Sequence, residues 1–166
     1  MGQQQLLLVI LVTILVGIAT VVAINVFGSA AEDGNRDAVR QDLLQGAAGA
    51  QAIWIKPHLL GGAGRDFGTI PANIIPDGQD ADSFILSSLG IPGILNAEGN
   101  IVNENAEYEI TARTLNALTI QATPASWQNT ITLRVCRDFT ENEEGWKSGI
   151  DTDGGVPVVQ CAEPDA

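Results

Sequence analysis

The chain has 166 residues, of which 18 are glycine and only 5% aromatic, so its length suits about one domain with a modest, loop-rich core. Acids number 20 against 8 Lys and Arg, a net charge of -12, which argues against nucleic-acid binding and against charge-driven adsorption to anionic lipid. Mean hydropathy is nevertheless +0.15, because residues 1–31 carry no charged side chain and all charge falls in 32–166.

The first predicted element is apolar. Leu6 to Phe27 reads LLLVILVTILVGIATVVAINVF, with Thr13, Thr20 and Asn25 as its polar members. As a helix it extends roughly 33 Å, enough to cross a bilayer core. A signal peptide would begin with a basic segment, whereas the first basic residue here is Arg36, although Gly28-Ser29-Ala30-Ala31 imitates a cleavage site. A single-pass anchor fits the length, but no Lys or Arg flanks either end closely.

The pattern then turns amphipathic without a linker. Val39, Leu43, Ala47, Ala50 and Trp54 recur at helical spacing and share one face. Glu32 with Arg36 at i,i+4, and Asp33 with Arg36 and Asp37 with Arg40 at i,i+3, are candidate surface pairs. Gly34, Gly46 and Gly49 each weaken a helix by about 1 kcal/mol relative to alanine. Pro57 ends the element, with Lys56 placing a cation near the closing turn. The spacing predicts one helix of roughly 80 Å, apolar all round in its first half and striped in its second. The first half has nothing of its own to pack on, so it needs lipid or copies of itself; Gly17, Ala19 and Ala23 offer small-residue contacts.

Residues 1–54, MGQQQLLLVILVTILVGIATVVAINVFGSAAEDGNRDAVRQDLLQGAAGAQAIW, resemble the type IV pilin family over about the first third of the chain. The resemblance implies an α+β fold in which a long N-terminal helix carries a small antiparallel β-sheet head. It implies a structural, non-enzymatic subunit that joins identical copies into an extracellular helical filament and resides in the inner membrane before assembly. The filament-core helix would present Gln3, Gln4, Gln5, Leu6, Ile10, Ile14, Gly17, Val21 and Phe27. The organisation expected is residues 1–28 as filament core, 29–56 as amphipathic half and 57–166 as head. Two departures stand out: Gln5 replaces the family's usual glutamate, which neutralises a neighbour's N-terminal amine, and no proline precedes Pro57. The lack of a basic leader fits a processed chain. A type II secretion pseudopilin and a membrane-tethered extracellular binding domain are the alternatives.

Past Pro57, the glycine-rich run 59–64 reads as a connection, and Phe67, Ile70 and Ile74 as residues folding back on the helix. Asp80 to Gly90 reads as a short helix, with aspartate at its start, glycine at its end and Pro92 beyond. Three alternating segments follow. Tyr108, Ile110 and Ala112 oppose Glu109, Thr111 and Arg113; Leu118 and Ile120 oppose Thr119 and Gln121; Ile131, Leu133 and Val135 oppose Thr132, Arg134 and Cys136. Turns at Asn96–Asn100 and Pro124–Ser126 make this an antiparallel meander with one face on the helix.

Cys136 and Cys161 lack the spacing of a metal knuckle or haem site. They are either two free thiols or, in an oxidising compartment, a bridge stapling the tail across the outer sheet face. The pilin resemblance implies the bridge, and with it a surface placement for Phe139, Glu141, Glu143, Glu144 and Trp146. His58 has no catalytic partners nearby, and no nucleophile motif or phosphate loop occurs. No cofactor is expected. Calcium is the one metal candidate, at Asp151 and Asp153 in DTDGG, with Asp77, Asp80 and Asp82 as a second acid cluster. Trp54, Trp127 and Trp146 read as packing residues.

Overall fold

The computed structural model describes residues 2–141 and 144–162. Helix α1 spans Gly2–Ile55 without interruption, and the chain divides into two units after Asn35. In the first unit, helix residues 2–22 are all exposed, and so are the large apolar side chains as far as Phe27.

The second unit is an α+β fold built on residues 36–55 of α1. Val39, Leu43, Ala47, Ala50, Ile53 and Trp54 of that half are all buried, so the helical stripe read from spacing is the helix's core-facing side. Opposite it stands a six-stranded antiparallel sheet in sequential order. Its strands are β1 Ile94–Leu95, β2 Ile101–Val102, β3 Ala106–Arg113, β4 Ala117–Pro124, β5 Ile131–Asp138 and β6 Gly145–Asp151. Tyr108, Leu118, Ile120, Leu133 and Val135 fill the core between them, each fully buried. Sequential hairpins need no crossover, which is what short turns between antiparallel strands permit.

The connection from α1 folds back as the sequence predicts. Phe67 is fully buried and Ile70 packs against the same core, both between 3-10 turns at His58–Leu60 and Ala72–Ile74, and Ile74 of the second turn joins them. Helix α2, Ala81–Ser88, opens with a reciprocal cap. The Asp80 carboxylate accepts the Ser83 N–H at 2.8 Å, and the Ser83 hydroxyl accepts the Asp80 N–H at 2.9 Å. The Ser83 hydroxyl also donates to the Asp80 carboxylate at 2.6 Å, and this bond first, then the Ser83 N–H, holds the Asp80 carboxyl below its usual range. The end of α2 lies so close to α1 that a Cβ at Gly49 would overlap the Leu89 carbonyl oxygen. The helix-weakening glycine is therefore a close-packing residue.

Three expectations are corrected. First, strict alternation put Ala112 inward and Arg113 outward, but Ile110 pairs Ile120 while Ala112 pairs Thr119, a bulge at Thr111. The extra residue reverses the side-chain order. Ala112 is exposed, and Arg113 reaches the Asp82 carboxylate at 2.5 Å and the Phe67 and Gly68 carbonyl oxygens. Second, residues 145–151 form a strand, and the aromatics of the disulfide-enclosed segment are not free surface. Phe139 and Trp146 are half-buried, with ring centres 6.1 Å and 5.4 Å from that of Trp54. Trp54 supplies an apolar plane large enough to draw both rings in. Glu141 and Glu144 are exposed, and Glu143 lies outside the described residues. Third, Arg36 turns to Asp153 at 3.7 Å and stacks 4.6 Å over the Trp127 ring. A cation on an aromatic face outweighs a solvent-screened helical pair. Arg40 does pair with Asp37, at 3.8 Å.

Candidate assembly surface

The apolar half of α1 is the most unusual surface in the chain. Leu6 is 64% exposed, Ile10 50%, Ile14 57%, Val21 61% and Phe27 74%. A Cβ at Gly17 would meet nothing within 4 Å, so the small side of the helix is open too. Each such side chain gains about 1.5–3 kcal/mol on full burial, so a stretch of this length strongly favours lipid or protein cover. The few polar groups are already suited to an apolar environment. Thr13 and Thr20 hydroxyls donate to the Ile10 and Val16 carbonyl oxygens at 2.8 Å, and Ser29 donates to Val26 at 3.1 Å. Hydroxyls satisfied by their own helix remove most of the cost of burying them. Gln3, Gln4 and Gln5 lie exposed on the first turns. The helix is long and apolar enough to cross a membrane.

In the second unit, Cys136 and Cys161 form a disulfide with Cα atoms 6.2 Å apart. Strand alternation correctly puts Cys136 on the face opposite Leu133 and Val135, and there the C-terminal segment covers it. The Asp138 carboxylate holds this staple. Its Oδ2 faces the Lys147 ammonium at 2.5 Å, while Oδ1 accepts the Thr140 hydroxyl at 2.7 Å and the Ala162 N–H at 3.0 Å. The lysine first, then the Thr140 hydroxyl, holds the Asp138 carboxyl well below the ordinary range. Asn116 adds a second clamp, donating to the Arg137 and Ala162 carbonyl oxygens at 2.8 and 2.9 Å.

Asp42 is the residue that sequence reasoning missed. It is buried on the apolar stripe of α1, and its Oδ2 accepts from the Tyr108 hydroxyl at 2.7 Å and from the Asn103 and Asn105 amides at 3.0 and 3.1 Å. Burial, followed by the hydrogen bond to Asp42 and its charge, pushes the Tyr108 phenol well above its ordinary value. The available signal was an acid three residues after Val39 and beside Leu43, inside the apolar face.

The calcium candidates are already engaged. Asp151 Oδ1 accepts the Asp153 and Gly155 N–H groups at 2.9 and 3.0 Å, and Asp153 faces Arg36. Asp80 caps α2 and Asp82 pairs with Arg113. Among the described residues no three His, Cys, Asp or Glu side chains gather as a metal site. His58 Nδ1 lies 3.1 Å from the Gly62 carbonyl oxygen, closing its own turn.

No known protein family, curated protein or solved structure matches the chain. The long apolar N-terminal helix with an antiparallel sheet is compatible with a pilin-like architecture.

Proposed function

We propose that this chain is a structural subunit that polymerises into an extracellular, type IV pilus-like filament by bundling its apolar helical half, and that it waits in the inner membrane before assembly. The observation that carries the reading is the unbroken α1, bare of packing from Leu6 to Phe27 yet continuous with a half that does have a core to join. Lipid covers such a surface before assembly, and equivalent helices cover it afterwards, so one surface serves both states.

Gln3, Gln4 and Gln5 then replace the usual acid. Their amides accept hydrogen bonds from an N-terminal amine and from first-turn N–H groups, without bringing a carboxylate into the bundle. Burying an unpaired charge there would cost several kcal/mol or more.

The experiment is electron microscopy of material sheared from producing cells, with the subunit identified by mass, alongside a chain lacking Leu6 to Ala23. The proposal expects filaments of the full chain and a soluble monomer from the deletion. A deletion variant that still polymerises would refute helix bundling. A full chain that stays in the membrane fraction and never forms filaments would favour the membrane-tethered domain instead.

A further inference from the structure

A second surface lies within the second unit, at the C-terminal end of α1. Trp54, Ile55, Arg65, Arg137, Phe139 and Glu144 line an open pocket of about 360 Å³. Its floor is aromatic, and the Arg137 guanidinium lies 5.6 Å and 5.8 Å from the Trp54 and Phe139 ring centres. Two of the chain's 8 basic side chains therefore line one pocket in a molecule of net charge -12.

Arg65 is exposed, and its guanidinium has no ion pair or hydrogen bond among the described residues. It also holds φ at +72°, the one positive value outside glycine among the described residues. Its N–H donates to the Trp54 carbonyl oxygen at 2.7 Å, and Ala63 and Gly64 N–H groups reach Ile53 and Lys56 carbonyl oxygens at 2.9 Å. Backbone groups thus already close the helix end, and a glycine would make this turn without strain. The side chain at position 65 is not needed for the turn; a strained residue beside a pocket points to use. Among the described residues Arg137 has one ion-pair partner, the exposed Glu144 at 4.0 Å, a contact that water and salt readily displace.

We infer that this pocket receives an acidic side chain from a second copy of the chain. The inference rests on the filament reading. Copies of net charge -12 repel one another at close range unless acids of one meet bases of the next. A guanidinium pairs a carboxylate in a two-pronged geometry, and an aromatic floor lowers the local dielectric around it. The acids are at hand: Asp77, Glu98 and Glu104 are exposed and in no ion pair among the described residues. Ile55, which lines the pocket, is 57% exposed, and Leu59 and Leu60, four and five residues further along the chain, are 94% and 64% exposed, apolar surface suited to protein contact.

The test uses the full chain with Leu59 replaced by p-benzoylphenylalanine, irradiated both in membranes and in sheared filaments. The expected product has twice the chain mass and joins position 59 to a peptide carrying Asp or Glu. Arg65→Glu combined with Arg137→Glu lowers its yield about tenfold, and Arg65→Lys largely retains it. An intact disulfide and unchanged far-ultraviolet circular dichroism confirm the fold of each variant. No doubled product, a product with another protein, or a doubled product indifferent to charge reversal would each overturn the inference. Filaments lacking this crosslink refute the pocket alone. Charge-sensitive crosslinked pairs without filaments support the pocket and refute the filament reading.

Discussion

Replacing Asp42 with alanine removes the acceptor that joins α1 to β3. The Tyr108 hydroxyl is fully buried and donates to that carboxylate at 2.7 Å, so its loss leaves a buried donor without its acceptor. Asn103 retains the Pro92 carbonyl oxygen at 2.9 Å, so its loss is partial. A hydrogen bond to a carboxylate contributes about 1.5–3 kcal/mol, and the two weakened amide contacts bring the expected cost of Asp42→Ala to about 3 kcal/mol. Tyr108→Phe alone should cost about 1.5 kcal/mol, and the double variant no more than about 3, a coupling near 1.5 kcal/mol. Guanidinium unfolding of the full chain in detergent, followed by tryptophan fluorescence, measures all three. Costs that simply add, within about 0.5 kcal/mol, would refute the network. Tyr108 is the one tyrosine, so tyrosinate absorbance reports it alone. Its phenol is raised in the folded state, so above the ordinary value of 10.0 the unfolded chain loses a proton that the folded chain keeps. Stability is then fully present below that pH and falls by about 1.4 kcal/mol per pH unit above it, until the folded phenol ionises. Below the pH at which the folded phenol ionises, tyrosinate should appear only with unfolding.

Asp138 works in the opposite direction. Its carboxyl is depressed in the fold, so its contribution is present above the ordinary value of 3.8 and is lost as pH falls below that, toward the folded value. Denaturant midpoints should drop between neutral and acid solution, and Asp138→Asn should flatten that drop; an unchanged acid slope would remove Asp138 from the staple. Cys136→Ala opens a loop with a sequence separation of 25 and should cost about 3 kcal/mol, read by the same unfolding assay, and a loss under about 0.5 would contradict it. Gly49→Ala should destabilise by about 1–3 kcal/mol despite alanine's better helix propensity, because it meets Leu89 backbone. Gly34→Ala, with nothing within 4 Å, should raise stability or helicity by up to about 1 kcal/mol; equal effects at both sites would contradict the close packing.

Periodic features were legible in the sequence. The stripe from Val39 to Trp54, the Asp80 cap and the outward Cys136 each follow from a local period or an end signal, and tertiary packing reinforces them. What was not legible depended on partners distant in the chain. The bulge at Thr111 reversed Arg113 because Asp82 and the 67–68 carbonyls wait on the inner side. Strand β6, GWKSGID, shows no alternation because two glycines occupy it, and one of them lies under Val159 and Pro157 of the tail. Trp54 was placed correctly in the core, but its attraction for Phe139 and Trp146 was not visible in spacing. Asp42 looked like one acid among many, since nothing local announces Tyr108 and Asn103 at 66 and 61 residues' distance.

The central claim is that Leu6 to Phe27 forms a shared core between identical chains. Site-specific spin labels placed singly at Ile14 of the purified full chain, diluted with unlabelled chain, measure this directly. The account predicts strong label–label dipolar broadening in the polymer that fades with dilution, together with exclusion of water-soluble relaxants. Narrow, dilution-independent spectra in lipid, with no polymer at any concentration, would mean that the helix is a solitary membrane anchor.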